Sequence, residues 1–148
     1  MMSSQVKRGK IFVKRSRREV ALFAEALLFL YYSKLLLIIP FKYAVKQIRP
    51  GQNQEVVLNE QNPQEFKCRL NEIRIAVRRA DKFSFWSNIC LVKSFAARFM
   101  LQRRGIPSTM YYGLIINGNK LEAHAWVTVG ETEITPKGKT DFKIIHTL

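Results

Sequence analysis

Residues 85–127, FWSNICLVKSFAARFMLQRRGIPSTMYYGLIINGNKLEAHAWV, carry a helix signal followed directly by a hairpin signal. Ser87 or Asn88 can cap the helix, because a short polar side chain accepts a hydrogen bond from an orphan N–H of the first turn. Cys90 then falls in that turn, where the positive end of the helix dipole favours a thiolate. Leu91, Phe95, Ala96, Phe99 and Met100 follow at helical spacing, and Gly105 stops the helix just after Arg103 and Arg104. From Thr109 to Ile116 the residues turn β-branched and aromatic, and Asn117-Gly118 is a hairpin signal. The return strand carries Leu121, His124, Trp126 and Val127. A cysteine at a helix N-terminus can thus face a histidine on a packed strand, the arrangement that nucleophilic thiol chemistry needs.

The same residues have a family likeness. C-L-x-x-S from Cys90, a helix ending R-R-G-I-P, a short strand and A-H-A-W-V at 123–127 together resemble the core of transglutaminase-like cysteine proteases. Within that superfamily the stretch is most similar to the leader peptidases of lasso peptide biosynthesis, in their short form without a fused recognition domain. The likeness is most specific over Cys90 to Val127 and extends more loosely to the apolar N-terminal region. It implies an α+β fold with a transglutaminase-like (papain-like) core: N-terminal helices, then a cysteine-bearing helix packed on a small antiparallel sheet. It implies Cys90 as nucleophile and His124 as its base. The backbone N–H of Cys90, unpaired in the first turn, is an available oxyanion donor.

The family's orienting carboxylate lies on the next strand, about a dozen residues past the histidine. Here that position falls near Thr135-Pro136. A two-residue turn at Gly130-Glu131 sets His124 opposite Lys137, with Thr135 diagonal to it. Glu133 then lies four residues along from the position facing His124, beyond direct contact at about 3.4 Å per residue. Asp141 is the third catalytic candidate, and it returns to the histidine only if residues 136–140 bulge or loop.

A chain of 148 residues can bury one core unaided, and 47% apolar residues argue against disorder. Composition divides it into a basic arm, residues 1–18, and a single domain, residues 19–148, helical to 81 and catalytic from 82. Two cysteines, Cys68 and Cys90, make no disulfide framework, and a reducing cytoplasm is the natural setting for a working thiol. Neither has a second Cys or His at close spacing, so no metal cluster is evident and no cofactor is implied. Cys68 reads as a small structural side chain at the edge of a helical stripe. The charge is extreme, 25 Lys and Arg against 11 Asp and Glu for a net +14, which points to acidic partners.

Residues 19–41, EVALFAEALLFLYYSKLLLIIPF, are apolar enough to suggest a membrane anchor, but Glu25 and Lys34 interrupt them. They read as a core helix, or one that meets a partner, ended by Pro40. Pro50-Gly51 marks a loop, with a short strand at 54–58. Asn62-Pro63-Gln64-Glu65 announces a second helix, with Asn62 capping and Glu65 placed to reach back. Phe66, Leu70, Ile73, Val77 and Ala80 form its apolar stripe, flanked by Arg74, Arg78 and Arg79. After Thr135, DFKIIHTL reads as a short strand or packed tail.

The resemblance implies a precursor peptide as substrate, a separate leader-recognition protein that presents it, and a cyclase acting on the freed core. The basic arm and the arginine flank of the second helix are the expected docking faces. An acyl transfer to an amine, or amide hydrolysis on a small molecule, would use the same thioester. A basic nucleic-acid-binding module is the alternative outside enzymology, although no helix-turn-helix, zinc-finger or RNA-recognition signature supports specific binding.

Overall fold

The computed structural model describes residues 16–47, 62–84 and 89–148. Its described helices are α1 (Arg17–Leu36), α2 (Phe41–Gln47), α3 (Pro63–Phe83) and α4 (Cys90–Arg103). The strands are β1 (Thr109–Asn117), β2 (Lys120–Val129), β3 (Thr132–Glu133) and β4 (Lys143–Thr147), in the sheet order β3-β2-β1-β4 with every pair antiparallel. The architecture is α+β, as the sequence predicts. The short strand expected at 54–58, residues 1–15 of the arm, and Ser87 and Asn88 lie outside the described residues.

Helix α4 is the centre of the core. Val92 and every residue from Ser94 to Met100 are buried, so the helix has no solvent face along its middle. It lies against α1 and α3 on one side and β2 on the other. Even Arg98 of this stretch is buried, its guanidinium donating to the carbonyls of Ser108 and Leu148. The α4 side chains Phe95, Ala96 and Met100 meet Ala125, Val127 and Met110 of the sheet in one cluster.

Helix α1 begins at Arg17, so the last residues of the expected basic arm are helical, and Arg18 pairs with Glu72 of α3 at 3.0 Å. Leu22, Ala26, Leu30 and Leu36 bury one stripe of α1 against α3 and α4. Its other face keeps Leu28 and Leu35 in solvent, 70% and 59% exposed. No described helix is long and apolar enough to cross a membrane. Glu25, the charge that interrupts the apolar run, accepts from both terminal nitrogens of Arg104 at 2.7 Å. The paired guanidinium holds the Glu25 carboxyl below the ordinary carboxylate range, against the opposing effect of burial. Pro40 does not simply end an element: its carbonyl accepts from Tyr43 N at 2.8 Å and opens α2, a short helix that the sequence does not announce.

Helix α3 is capped as expected, with Asn62 Oδ1 accepting from Gln64 N at 3.2 Å. Glu65 does not complete a capping box; its carboxylate goes to Arg69 at 2.9 Å. Cys68 is exposed on this helix rather than filling a gap at the core. In the hairpin, Asn117 pairs with Lys120, so the turn is Gly118-Asn119, one residue later than expected, with Gly118 at φ +62°.

Candidate active site

Cys90 is the first residue of α4, and the position before it, the N-cap, is Ile89 rather than Ser87 or Asn88. Isoleucine has no side-chain acceptor, so no side chain of the cap consumes a first-turn N–H. Among the described residues, the backbone bonds of the helix begin with Val92 N and Lys93 N, both to Ile89 O. The N–H groups of Cys90 and Leu91 lie ahead of that ladder, beside the half-buried thiol. They are placed to stabilise a thiolate or an oxyanion.

His124 sits in the middle of β2, directly across from Gly113 of β1. Its ring packs against Trp126, with centroids 5.9 Å apart, and Phe142, at 5.1 Å, and those two rings lie 6.3 Å from each other. Gly113 makes this packing possible: a Cβ there would come within 2.5 Å of Phe142 Cβ. With no side chain opposite the histidine, Phe142 crosses the sheet to stack on it. Trp126 continues the row by stacking on Tyr111 at 5.4 Å.

The imidazole is fixed at its other end by a backbone group. His124 Nε2 lies 2.8 Å from the carbonyl oxygen of Pro136, twelve residues along the chain. A carbonyl can only accept, so Nε2 carries the hydrogen and a neutral ring has its lone pair on Nδ1. The turn at Gly130-Glu131 has the expected register, Val129 with Thr132 and Thr128 with Glu133. Beyond it the pairing departs from expectation. Ile134 N and Thr135 N both bond to Val127 O, at 2.9 and 3.3 Å, so two residues oppose one in a bulge. Pro136 has no N–H to resume the ladder. Lys137 therefore does not face His124; its Nζ lies 6.0 Å over the Trp126 ring.

A buried relay secures this bulge. Val127 N donates to Thr135 Oγ1 at 2.8 Å, and Ser94 Oγ donates to Ala125 O at 2.9 Å. The two hydroxyls lie 3.2 Å apart, and with the Ser94 hydrogen already committed, Thr135 donates across that gap. Ser94 is one helical turn after Cys90, Ala125 follows His124, and Thr135 precedes Pro136. Helix, strand and orienting carbonyl are thus tied together one turn below the thiol and one residue away from the histidine and the carbonyl.

Cys90 and His124 line one cleft of about 520 Å³, with Ala125, Thr135 and Pro136 along the same wall. No hydrogen bond links the thiol to the ring, although catalytic contacts of this kind are commonly long before substrate binds. Arg74, Arg78 and Asp81 of α3 and Lys93 of α4 line the same cleft. Asp81 pairs with Lys93 at 3.4 Å. Glu133 also borders the cleft but makes no bond to His124; its Oε2 accepts from Lys137 N at 3.4 Å. Asp141 is exposed and is not part of the cleft wall; the neighbouring Phe142, not the carboxylate, reaches the histidine. Cys68 is absent from the cleft wall.

A family model for the transglutaminase-like superfamily matches residues 35–147. The chain belongs to the transglutaminase-like superfamily. The match runs from the last turn of α1 through β4 and includes Cys90, His124 and Pro136. Members of this superfamily are typically cysteine-dependent enzymes, cysteine peptidases among them. No curated protein and no solved structure matches the chain. For a transglutaminase-like protein the departure lies in the third position, where the histidine's partner is a peptide carbonyl. Sequence reasoning located that position near Thr135-Pro136 but sought a side chain there. It missed Ser94 and Thr135 as positioning groups and Asp81 as a carboxylate of the cleft. The serine of C-L-x-x-S, one turn below the thiol, was the available signal.

Proposed function

We propose that this transglutaminase-like chain is a cytoplasmic cysteine peptidase that removes the leader from a ribosomally made precursor during lasso peptide maturation. The observation that carries the reading is the shared cleft of Cys90 and His124, with Nε2 engaged by Pro136 O and Nδ1 left as the base. His124 Nδ1 takes the Cys90 proton, and the thiolate attacks the scissile carbonyl to form a C–S bond. The oxyanion is met by the N–H of Cys90. The C–N bond breaks as His124 returns its proton to the leaving amine, and a thioester remains. Water, deprotonated by the same ring, then hydrolyses the thioester and frees the thiol. The Pro136 carbonyl keeps the ring in the tautomer that this cycle requires.

In this reading a separate recognition protein binds the leader and presents it, and a cyclase takes the freed core. The test is incubation of the protein with a precursor and that recognition protein, followed by product masses. Cleavage at one bond by wild type, with none by Cys90→Ala or His124→Ala, is expected. An intact precursor with wild type, or equal cleavage by Cys90→Ala, would refute the reading. A product heavier than the hydrolysed one by the mass of an amine would identify acyl transfer instead.

A further inference from the structure

We propose that Arg74 and Arg78 form a carboxylate-binding subsite in the Cys90 cleft, selecting substrates with an acidic side chain close to the bond that is cut. This rests on the peptidase reading for its substrate, but the subsite itself rests on the charges of the cleft.

Spacing puts Arg74 and Arg78 four residues apart on α3, so they share one face, and both border the cavity that holds Cys90. Their neighbours are accounted for. Arg69 pairs with Glu65 at 2.9 Å, Arg79 with Glu19 at 3.6 Å, and Lys93 with Asp81 at 3.4 Å. Neither Arg74 nor Arg78 forms an ion pair with a described residue. Like charges one turn apart repel each other, and an anion bound between them removes that repulsion.

The arginines of this flank therefore divide by role. Arg79 joins α3 to α1, whereas Arg74 and Arg78 face the space where substrate would lie. Val77, Ala125 and Ile134, all buried, give the same cleft an apolar lining. A planar guanidinium can hold a carboxylate through two parallel bonds, and both arginines are exposed, within reach of an acidic side chain entering the cleft. Asp81 and Glu133 on the same cleft limit its positive charge. That balance favours a singly charged carboxylate over a doubly charged phosphate. An acidic side chain of the bound peptide, set between Arg74 and Arg78, would fix its register over Cys90.

The test needs no turnover. Iodoacetate and iodoacetamide are nearly the same size, but only the first carries a carboxylate. Their alkylation rates at Cys90 are measured at low ionic strength for wild type and for R74Q/R78Q, with Cys68 as the internal reference. The iodoacetate-to-iodoacetamide ratio at Cys90 should fall by about threefold or more in the variant, with a smaller change at Cys68. An unchanged ratio, or an equal fall at both cysteines, overturns the subsite. If both reagents slow together at Cys90 with the ratio constant, the arginines act on the thiol or the fold, and the proposal also fails. Should R74Q/R78Q lose its helical circular dichroism, the single variants R74Q and R78Q serve for the same comparison. A protein that shows the ratio change but cuts no precursor retains the subsite and loses the peptidase reading. One that cuts precursor without the ratio change does the reverse.

Discussion

The carbonyl oxygen of Pro136 stands 2.8 Å from Nε2 of His124, twelve residues along, where a transglutaminase-like site is expected to have a carboxylate. A peptide carbonyl can orient an imidazole and fix its tautomer. Being neutral, it gives the imidazolium less electrostatic support than a carboxylate would. The consequences of that substitution can be measured.

Thr135→Val should expose the importance of the relay. It keeps the shape of the side chain but strands Val127 N–H and removes the donor to Ser94, at a cost of about 1–3 kcal/mol. Chemical denaturation measures the stability, and Cys90 alkylation reports whether the site has moved. Thr135→Ser, which keeps the hydroxyl, should recover most of both. Equal behaviour of the two variants would remove the relay from the explanation.

Gly113→Ala should disturb the histidine without touching it. The new Cβ would meet Phe142 Cβ at 2.5 Å, so the phenylalanine must leave the ring or the strands must separate. Overpacking of this kind costs about 1–3 kcal/mol. Nuclear magnetic resonance of the His124 ring protons should show the loss of ring-current shift from Phe142.

Asp141→Asn should leave precursor cleavage within about twofold of wild type, as expected for an exposed residue away from the cleft. A loss of one or two orders of magnitude would mean that the carboxylate reaches the histidine during turnover.

Glu25→Gln tests the α1–α4 clamp through its pH dependence. The Glu25 carboxyl is held low by Arg104, so its stabilisation is complete above the ordinary carboxylate range and is lost as pH falls through the folded value. The variant should be less stable than wild type by about 1–3 kcal/mol near neutrality. That gap should close in acid, as followed by denaturation midpoints across pH. A gap independent of pH would point to packing rather than charge.

The parts of the fold legible in the sequence were those with local causes. Asn62-Pro63 fixed the start of α3, a stripe from Phe66 to Ala80 fixed its buried face, and Gly118 with Gly130 marked two turns. The thiol and the histidine could be named because each sits at a position with its own signal, a helix start and a packed strand. The remainder depended on contacts distant in sequence. Glu25 read as an interruption until Arg104, seventy-nine residues away, supplied its partner. The orienting group of His124 was hidden because a backbone carbonyl is present at every residue and has no sequence signature. The bulge at Ile134 and Thr135 shifted the register by one, and no pattern of side chains announced it. Arg74 and Arg78 were visible as charge, but only packing showed which arginines face the cleft.

The most direct measurement is the alkylation rate of Cys90 by iodoacetamide across pH, with exposed Cys68 as reference, in wild type and in His124→Ala. Cys90 is expected to react several-fold faster than Cys68 at neutral pH, by about tenfold at most before substrate closes the site, and to lose that advantage without the imidazole. Equal rates at the two cysteines, or a Cys90 rate indifferent to His124, would contradict an activated thiol in this cleft.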